Sequence, residues 1–239
     1  MTVDAVAIAA HPDDVELMIG GTIAKLTDRG KSVAIIDLTR GELGSRGTPE
    51  TRAAEAAAAA EALGVCERIN LDLGDGRLEN THENRALVIT HLRRLRPSIV
   101  MTQYWEDLHP DHAATGDLVK DIMYPIGFEK FPADGQPYRP NEFLFAMAHF
   151  DFDPSFIVDV TGYWDRKQQA IHCYKSQLHD PDSTGPATNI ARPDFIQRIE
   201  ARARHFGTMI LTDYGEPFLV RRPVPVDDPV DHYAAFHRF

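Results

Sequence analysis

A chain of 239 residues with 43% apolar and 26% charged residues has the proportions of an ordinary folded protein with one sizeable core, not of a disordered segment. Its formal charge of −11, from 36 acidic against 25 basic residues, and its lack of a long basic stripe exclude a nucleic-acid partner. Cys66 and Cys173 form no close-spaced ligand pair, no signal-type segment precedes the first apolar run, and no stretch reaches membrane-spanning length; the expectation is a single domain over residues 1–239, cytoplasmic and away from membranes.

Ala5–Ala10 reads as a buried parallel strand, and Val15, Leu17, Met18 and Ile19 follow with helical spacing in a helix over about 15–29. Between them stand His11, Pro12, Asp13 and Asp14. Pro12 biases His11 toward extended backbone and suits the first turn of a helix. Ligands of open α/β sheets bind beyond the carboxyl ends of the strands, so these polar groups hold a favoured place for chemistry. The alternative is that Asp13 or Asp14 simply caps the helix.

Ser32–Leu38 is the second strand, followed by a loop, residues 39–47, with three glycines and two arginines. Its spacing matches no common nucleotide-binding signature, and it is a candidate substrate wall. Thr48 and Pro49 open an alanine-rich, closely packing helix to Leu63. Ile69–Leu73 is a third strand, and in the polar loop after it Asp75 either contacts substrate or shapes the turn. Asn80 and Glu83 have capping-box spacing for a helix over about 81–96, and Pro97 stops it before the strand Ser98–Thr102.

This alternation predicts an α/β fold: a three-layer, mostly parallel Rossmann-like sheet flanked by helices, with the first motif at its functional edge. A second polar cluster, Gln103–His112, leads into a helix at Ala113. From about residue 122 the rhythm loosens, and the prolines and glycines of 122–141 predict a long connection serving as a lid or a subunit contact. Phe143–Ala148 and Ser155–Val160 are strands, and a helix runs from about 161 to 174 with His172 as a polar core contact or a ligand. A last long helix over about 193–206 buries Phe195, Ile199 and Ala203, with its arginines on other faces and Gly207 as cap. Residues 214–220 form a short strand or ordered loop, and the tail beyond packs around a neighbouring subunit.

His11 and Asp14, three residues apart at a strand-to-helix junction, can converge on one side. With His112 they make a two-histidine, one-carboxylate set that suits catalytic zinc, and ferrous iron also fits; the position left open takes water, and Asp13 is placed to remove its proton. His109 then faces the reacting substrate, with Asp111 orienting or supporting a histidine, although on chemistry alone either His109 or His112 could bind the metal.

Ala10-His11-Pro12-Asp13-Asp14, the glycine-rich second loop and His109-Pro110-Asp111-His112 together resemble the LmbE-like, or PIG-L, family of zinc-dependent N-deacetylases over nearly the whole chain. The resemblance implies zinc at His11, Asp14 and His112, Asp13 as general base, His109 paired with Asp111, a small sugar-amide substrate, and a homo-oligomer of up to six copies. Residues 44–52, Tyr104-Trp105, residues 174–177 and residues 214–218 are most similar to the bacillithiol-biosynthesis branch, whose substrate is N-acetylglucosaminyl malate. In that reading Arg46 or Arg52 binds the malate carboxylates, with Asp75 and Tyr104 completing the substrate wall. Leu108 departs from the branch, which commonly has arginine there.

Overall fold

The computed structural model describes residues 2–234. Seven strands form one sheet in the order β3-β2-β1-β4-β5-β7-β6, with β1 Ala5–Ala9, β2 Val33–Asp37, β3 Glu67–Asn70, β4 Ile99–Gln103, β5 Glu142–Ala146, β6 Phe156–Asp159 and β7 Gly215–Leu219. The first five are parallel, and β7 runs antiparallel to both β5 and β6. The third strand lies two to three residues earlier than its apolar pattern predicts. Of the two readings of 214–220, a short strand or an ordered loop, the strand is what forms, and it lies inside the sheet between β5 and β6.

All five residues of β1 are buried because helices cover both faces. Ala5, Ala7 and Ala9 point into a core built with α1 (Asp14–Asp28), α2 (Pro49–Leu63) and α5 (Trp164–Ile171). Val6 and Ile8 point the other way, onto Val88, Ile89 and Leu92 of α3 (His82–Leu95) and Leu118, Val119 and Ile122 of α4 (Pro110–Ile122). α6 (Phe195–Met209) packs on β7, and a short α7 (Pro229–Ala234) follows in the tail. Helix 3 is capped by Thr81, whose hydroxyl accepts from Asn84 N–H, and not by Asn80, whose side chain is held by Arg85 and Asp121. Gly207 lies inside α6 and does not cap it; a Cβ there would meet the Asp213 backbone at 2.7 Å.

The sheet order reverses between β1 and β4, which makes the crevice at their carboxyl ends the topological switch point. Both polar clusters exit there. In this structure no residue of the 122–141 connection lines the cavity at that crevice, and the buried Arg93 guanidinium of α3 bonds the carbonyls of Ile126, Phe128, Ala133 and Gly135.

Two buried ionic networks fix α1. The helix breaks at Ile19 (φ −132°, ψ 19°), and the freed N–H groups of Gly21 and Thr22 donate to the Glu216 carboxylate of β7 at 3.0 and 2.7 Å. Lys167 of α5 donates to the same carboxylate at 2.6 Å and to the Met18 carbonyl, bridging the two halves of the break. Nearer the start of α1, Glu16 accepts from Arg68 of β3 at 2.6 Å, while Arg68 also grips Asp37 of β2 with two nitrogens.

Lys167 and Glu216 are each 2% exposed in their side chains. Removing one partner strands a charge that water cannot reach. Lys167→Met is expected to lower unfolding free energy by about 3–5 kcal/mol in urea titration. Lys167→Met with Glu216→Gln is expected to cost less than the two single changes added together.

Candidate metal centre and its cavity

The two polar clusters meet at a cavity of about 600 Å³, walled by the loops that follow β1 to β5 and by one face of α6. His11, Asp13, Asp14, Asp75, His109 and His112 all line it.

Asp13 sits at the turn between β1 and α1 with φ 110°, a left-handed conformation that is strained for a residue with a side chain. Its carboxylate makes no capping bond, and Asp14 turns back so that Oδ2 accepts from His11 N–H at 2.8 Å. Helix capping therefore does not explain these acids. Gln103, the last residue of β4, donates to Asp14 Oδ2 at 3.0 Å and accepts from Ala10 N–H at 2.8 Å, tying the two strand ends together. With Oδ2 held, Asp14 Oδ1 faces His112 Nε2 at 3.2 Å.

His11 and His112 each face acids on the side away from Asp14. His11 Nε2 lies 3.1 Å from Asp75 and 3.3 Å from Asp111, so a proton on Nε2 leaves Nδ1 free, 3.3 Å from Asp14. His112 Nδ1 has no well-aligned hydrogen-bond partner, although Asp107 Oδ1 lies 3.0 Å away. Asp107 also binds His149 Nδ1 at 2.7 Å, and the His149 ring stacks on His112. His109 Nδ1 accepts from Asp111 N–H at 3.2 Å, which puts the ring proton on Nε2. His109 and His112 also stack, with centroids 4.8 Å apart.

The donor set fits a divalent cation. An ion about 2.0–2.1 Å from tetrahedral ligands separates them by about 3.3 Å, close to the spacings of His11 Nδ1 from Asp14 Oδ2 and of His112 Nε2 from Asp14 Oδ1, so the two histidines meet different oxygens of one carboxylate. The carboxylates of Asp13, Asp14, Asp75 and Asp111 are all buried, with the Arg52 guanidinium as a permanent positive charge against them. Zinc and ferrous iron both match this chemistry.

Charge states follow from the same packing. Burial pushes Asp13 up to about 7, with Arg52 pulling the other way and Asp14 adding to the rise. Burial opposes a charge on His112, but Asp14 and Asp107 outweigh it and push it up to about 9. Burial also holds His109 down, and the neighbouring His11 and His112 add to the effect.

The residues expected to read substrate divide differently. Arg46 is directed to the carbonyls of Ser176, Leu178 and Pro186 and to Ser183 Oγ; it anchors a loop and does not line the cavity. Arg52 is 5% exposed and lines the cavity, but it bonds the carbonyls of Pro12 and Gly41 and the Asp13 carboxylate at 3.1 Å. Its neighbours use it as a brace under Asp13. Tyr104 packs on Trp105 and Phe152 and lies outside the lining. Asp75 reaches the cavity through His11 and Leu43 N–H. The Asp111 carboxylate supports His11, not His109, and also accepts from Gly76 and Leu78 N–H. His172 is exposed and bonds Gln168.

Gln103, Asp107, His149, Arg198 and Arg202 were not among the expected site residues. His149 carried a signal, a lone histidine just past the carboxyl end of a strand. Arg198 and Arg202 share a helical face with Phe195 and Ile199, which all line the cavity.

Residues 6–123 match the family described as PIG-L, GlcNAc-PI de-N-acetylase. The diacetylchitobiose deacetylase of Thermococcus kodakarensis is 32% identical over 72% of this chain and 68% of its own length. The chain belongs to the PIG-L family. The conserved protein TT1542 of Thermus thermophilus superposes with a TM-score of 0.87 at 37% identity, covering 95% of this chain and 98% of that one. A probable N-acetyl-α-D-glucosaminyl L-malate deacetylase of Bacillus anthracis is 28% identical over 70% of this chain and 78% of its own. PIG-L membership and the buried His–Asp cluster make the protein a zinc-dependent N-deacetylase. Among the described residues no helix is long and apolar enough to cross a membrane.

Asp111→Asn separates support of His11 from support of His109. It is expected to weaken zinc binding about 10- to 100-fold in competition with a chromophoric chelator, as loss of an orienting carboxylate behind a metal-binding histidine does. Unchanged affinity would assign Asp111 to the other histidine.

Proposed function

We propose that the protein hydrolyses the acetamide of a small N-acetylglucosaminide, with N-acetylglucosaminyl malate the favoured substrate. The observation that carries this reading is the convergence of His11, Asp14 and His112 at a cavity that Asp13 and His109 also line. Resemblance to the malate-conjugate deacetylases and the Bacillus anthracis relative support the malate choice. Leu108, 71% exposed where that branch commonly has arginine, favours a second reading in which another N-acetylglucosaminyl conjugate is cleaved, as the Thermococcus kodakarensis relative's name also suggests.

In this reading His11, Asp14 and His112 would hold zinc, which would supply Lewis acidity toward the acetamide carbonyl and a lowered pKa for the attacking water. Ferrous iron in the same three ligands would serve equally. Asp13 takes the water's proton as its oxygen attacks the carbonyl carbon. Arg52 keeps that carboxylate fixed, and the left-handed backbone at Asp13 directs it toward the cavity. His109, held by Asp111 N–H, presents Nε2–H as a donor to the carbonyl oxygen while negative charge builds there. The C–N bond breaks with the proton delivered to the leaving nitrogen, releasing acetate and the free amine.

Acetate release from N-acetylglucosaminyl malate is the direct assay, run with chelated and zinc-reloaded protein. Activity is expected to vanish with chelation and return with zinc. Asp13→Asn is expected to lower kcat about 10²- to 10⁴-fold while zinc content stays close to stoichiometric. His112→Ala is expected to lose zinc. An Asp13→Asn protein that turns over normally would overturn the assignment of the base.

A further inference from the structure

The cavity has a wall that the chemistry above does not use. α6 turns Phe195, Arg198, Ile199 and Arg202 toward it, at spacings of three and four residues that lie on one helical face. Arg198 is exposed at the mouth and engages Asp194 through Nε at 2.8 Å. Arg202 is half-buried deeper along the face and donates from Nη1 to the Ala148 carbonyl, next to His149. Among the described residues both guanidiniums thus keep nitrogens without a protein partner, whereas Arg46 and Arg52 are bound by protein oxygens on several sides.

Arg198 and Arg202 thus set two positive charges beside the apolar Phe195 and Ile199 in the cavity wall. The rest of the cavity is acid-rich, with Asp13, Asp14 and Asp75 in its lining. A substrate with one anionic end is drawn to the arginines, and this orientation leaves its neutral acetamide toward Asp13 and Asp14. Planar guanidiniums match carboxylate or phosphate through paired hydrogen bonds.

We infer that Arg202, assisted by Arg198, selects substrates by binding an anionic group, carboxylate or phosphate, carried on the sugar's aglycone. The inference rests on the deacetylase reading and moves anion recognition from Arg46 and Arg52 to α6. Arg202 and Arg198 are specificity residues and take no part in bond cleavage.

The test compares zinc-loaded wild type, Arg198→Gln, Arg202→Gln and Arg202→Lys on N-acetylglucosaminyl malate and on the uncharged methyl N-acetylglucosaminide. The ratio of kcat/KM for the anionic over the neutral substrate is expected to fall about 10- to 100-fold in Arg202→Gln, mainly through KM, and less in Arg198→Gln. Arg202→Lys is expected to recover part of that ratio, since the charge returns without the paired geometry. A ratio within twofold of wild type in Arg202→Gln overturns the inference, because a purely structural arginine would lower both substrates alike. A second arm measures calorimetric binding of L-malate and of inorganic phosphate to the same zinc-loaded proteins, which also separates the two anions. Binding of either by wild type, weakened at least tenfold in Arg202→Gln, supports the inference even if wild type cleaves neither sugar, in which case only the proposed activity fails. Equal binding by wild type and Arg202→Gln, or binding of neither anion by wild type, overturns it.

Discussion

The Glu216 carboxylate at the break in α1 is the contact on which the site depends. A helix whose ladder is interrupted at Ile19 leaves amides that must find acceptors, and a buried amide left without one is costly. Glu216 accepts two of them, and Lys167 both neutralises that carboxylate and binds the carbonyl on the far side of the break. The first turn of α1 carries Asp14 and follows directly on His11 and Asp13. Its direction is therefore set by contacts to α5 and β7 as well as by the strand it follows. Arg68 fixes the same turn from the sheet side through Glu16 and Asp37.

A common arrangement governs the histidines. Each of the three has its position set on one nitrogen by a neighbouring group: Asp75 and Asp111 at His11, Asp107 at His112, and a backbone amide at His109. The first two are backed by carboxylates, which raise ligand basicity and suit metal binding. The third is backed by a donor and stays a neutral hydrogen-bond giver toward the cavity. Different outer partners thus assign different jobs to side chains of one type. The second motif is held close to its strand because Gly116 of α4 lies against Trp105, where a Cβ would stand 2.6 Å from the Trp105 Cα.

Much of this was legible before any coordinates. The parallel strands, Thr48 and Pro49 at the start of α2, and the two His-Pro-Asp turns follow from local pattern, since Pro12 and Pro110 mark helix starts at strand ends. The side-chain partners were less legible, because they depend on which loops become neighbours. Arg46, in the glycine-rich loop, and Arg52, in the first turn of α2, look available, yet nearby carbonyls bind both. Arg198 and Arg202 look like solvated helix charges until α6 is seen to form a cavity wall. Asp111 follows His109 closely in sequence, but its carboxylate reaches across to the partner cluster. Pairing of β7 between β5 and β6 was hidden for a related reason: Pro217 and the short length of the stretch argue against an interior strand, and long-range pairing overrides that local signal.

The interior place of β7 also bears on synthesis. Translation delivers β5 and β6 before the strand that joins them, so a chain emerging from the ribosome carries an unpaired β5 edge and a broken first helix without its carboxylate. The chain must be made through β7 before the catalytic turn is secured, and a polypeptide ending before that strand exposes its sheet while lacking the contact that sets the turn.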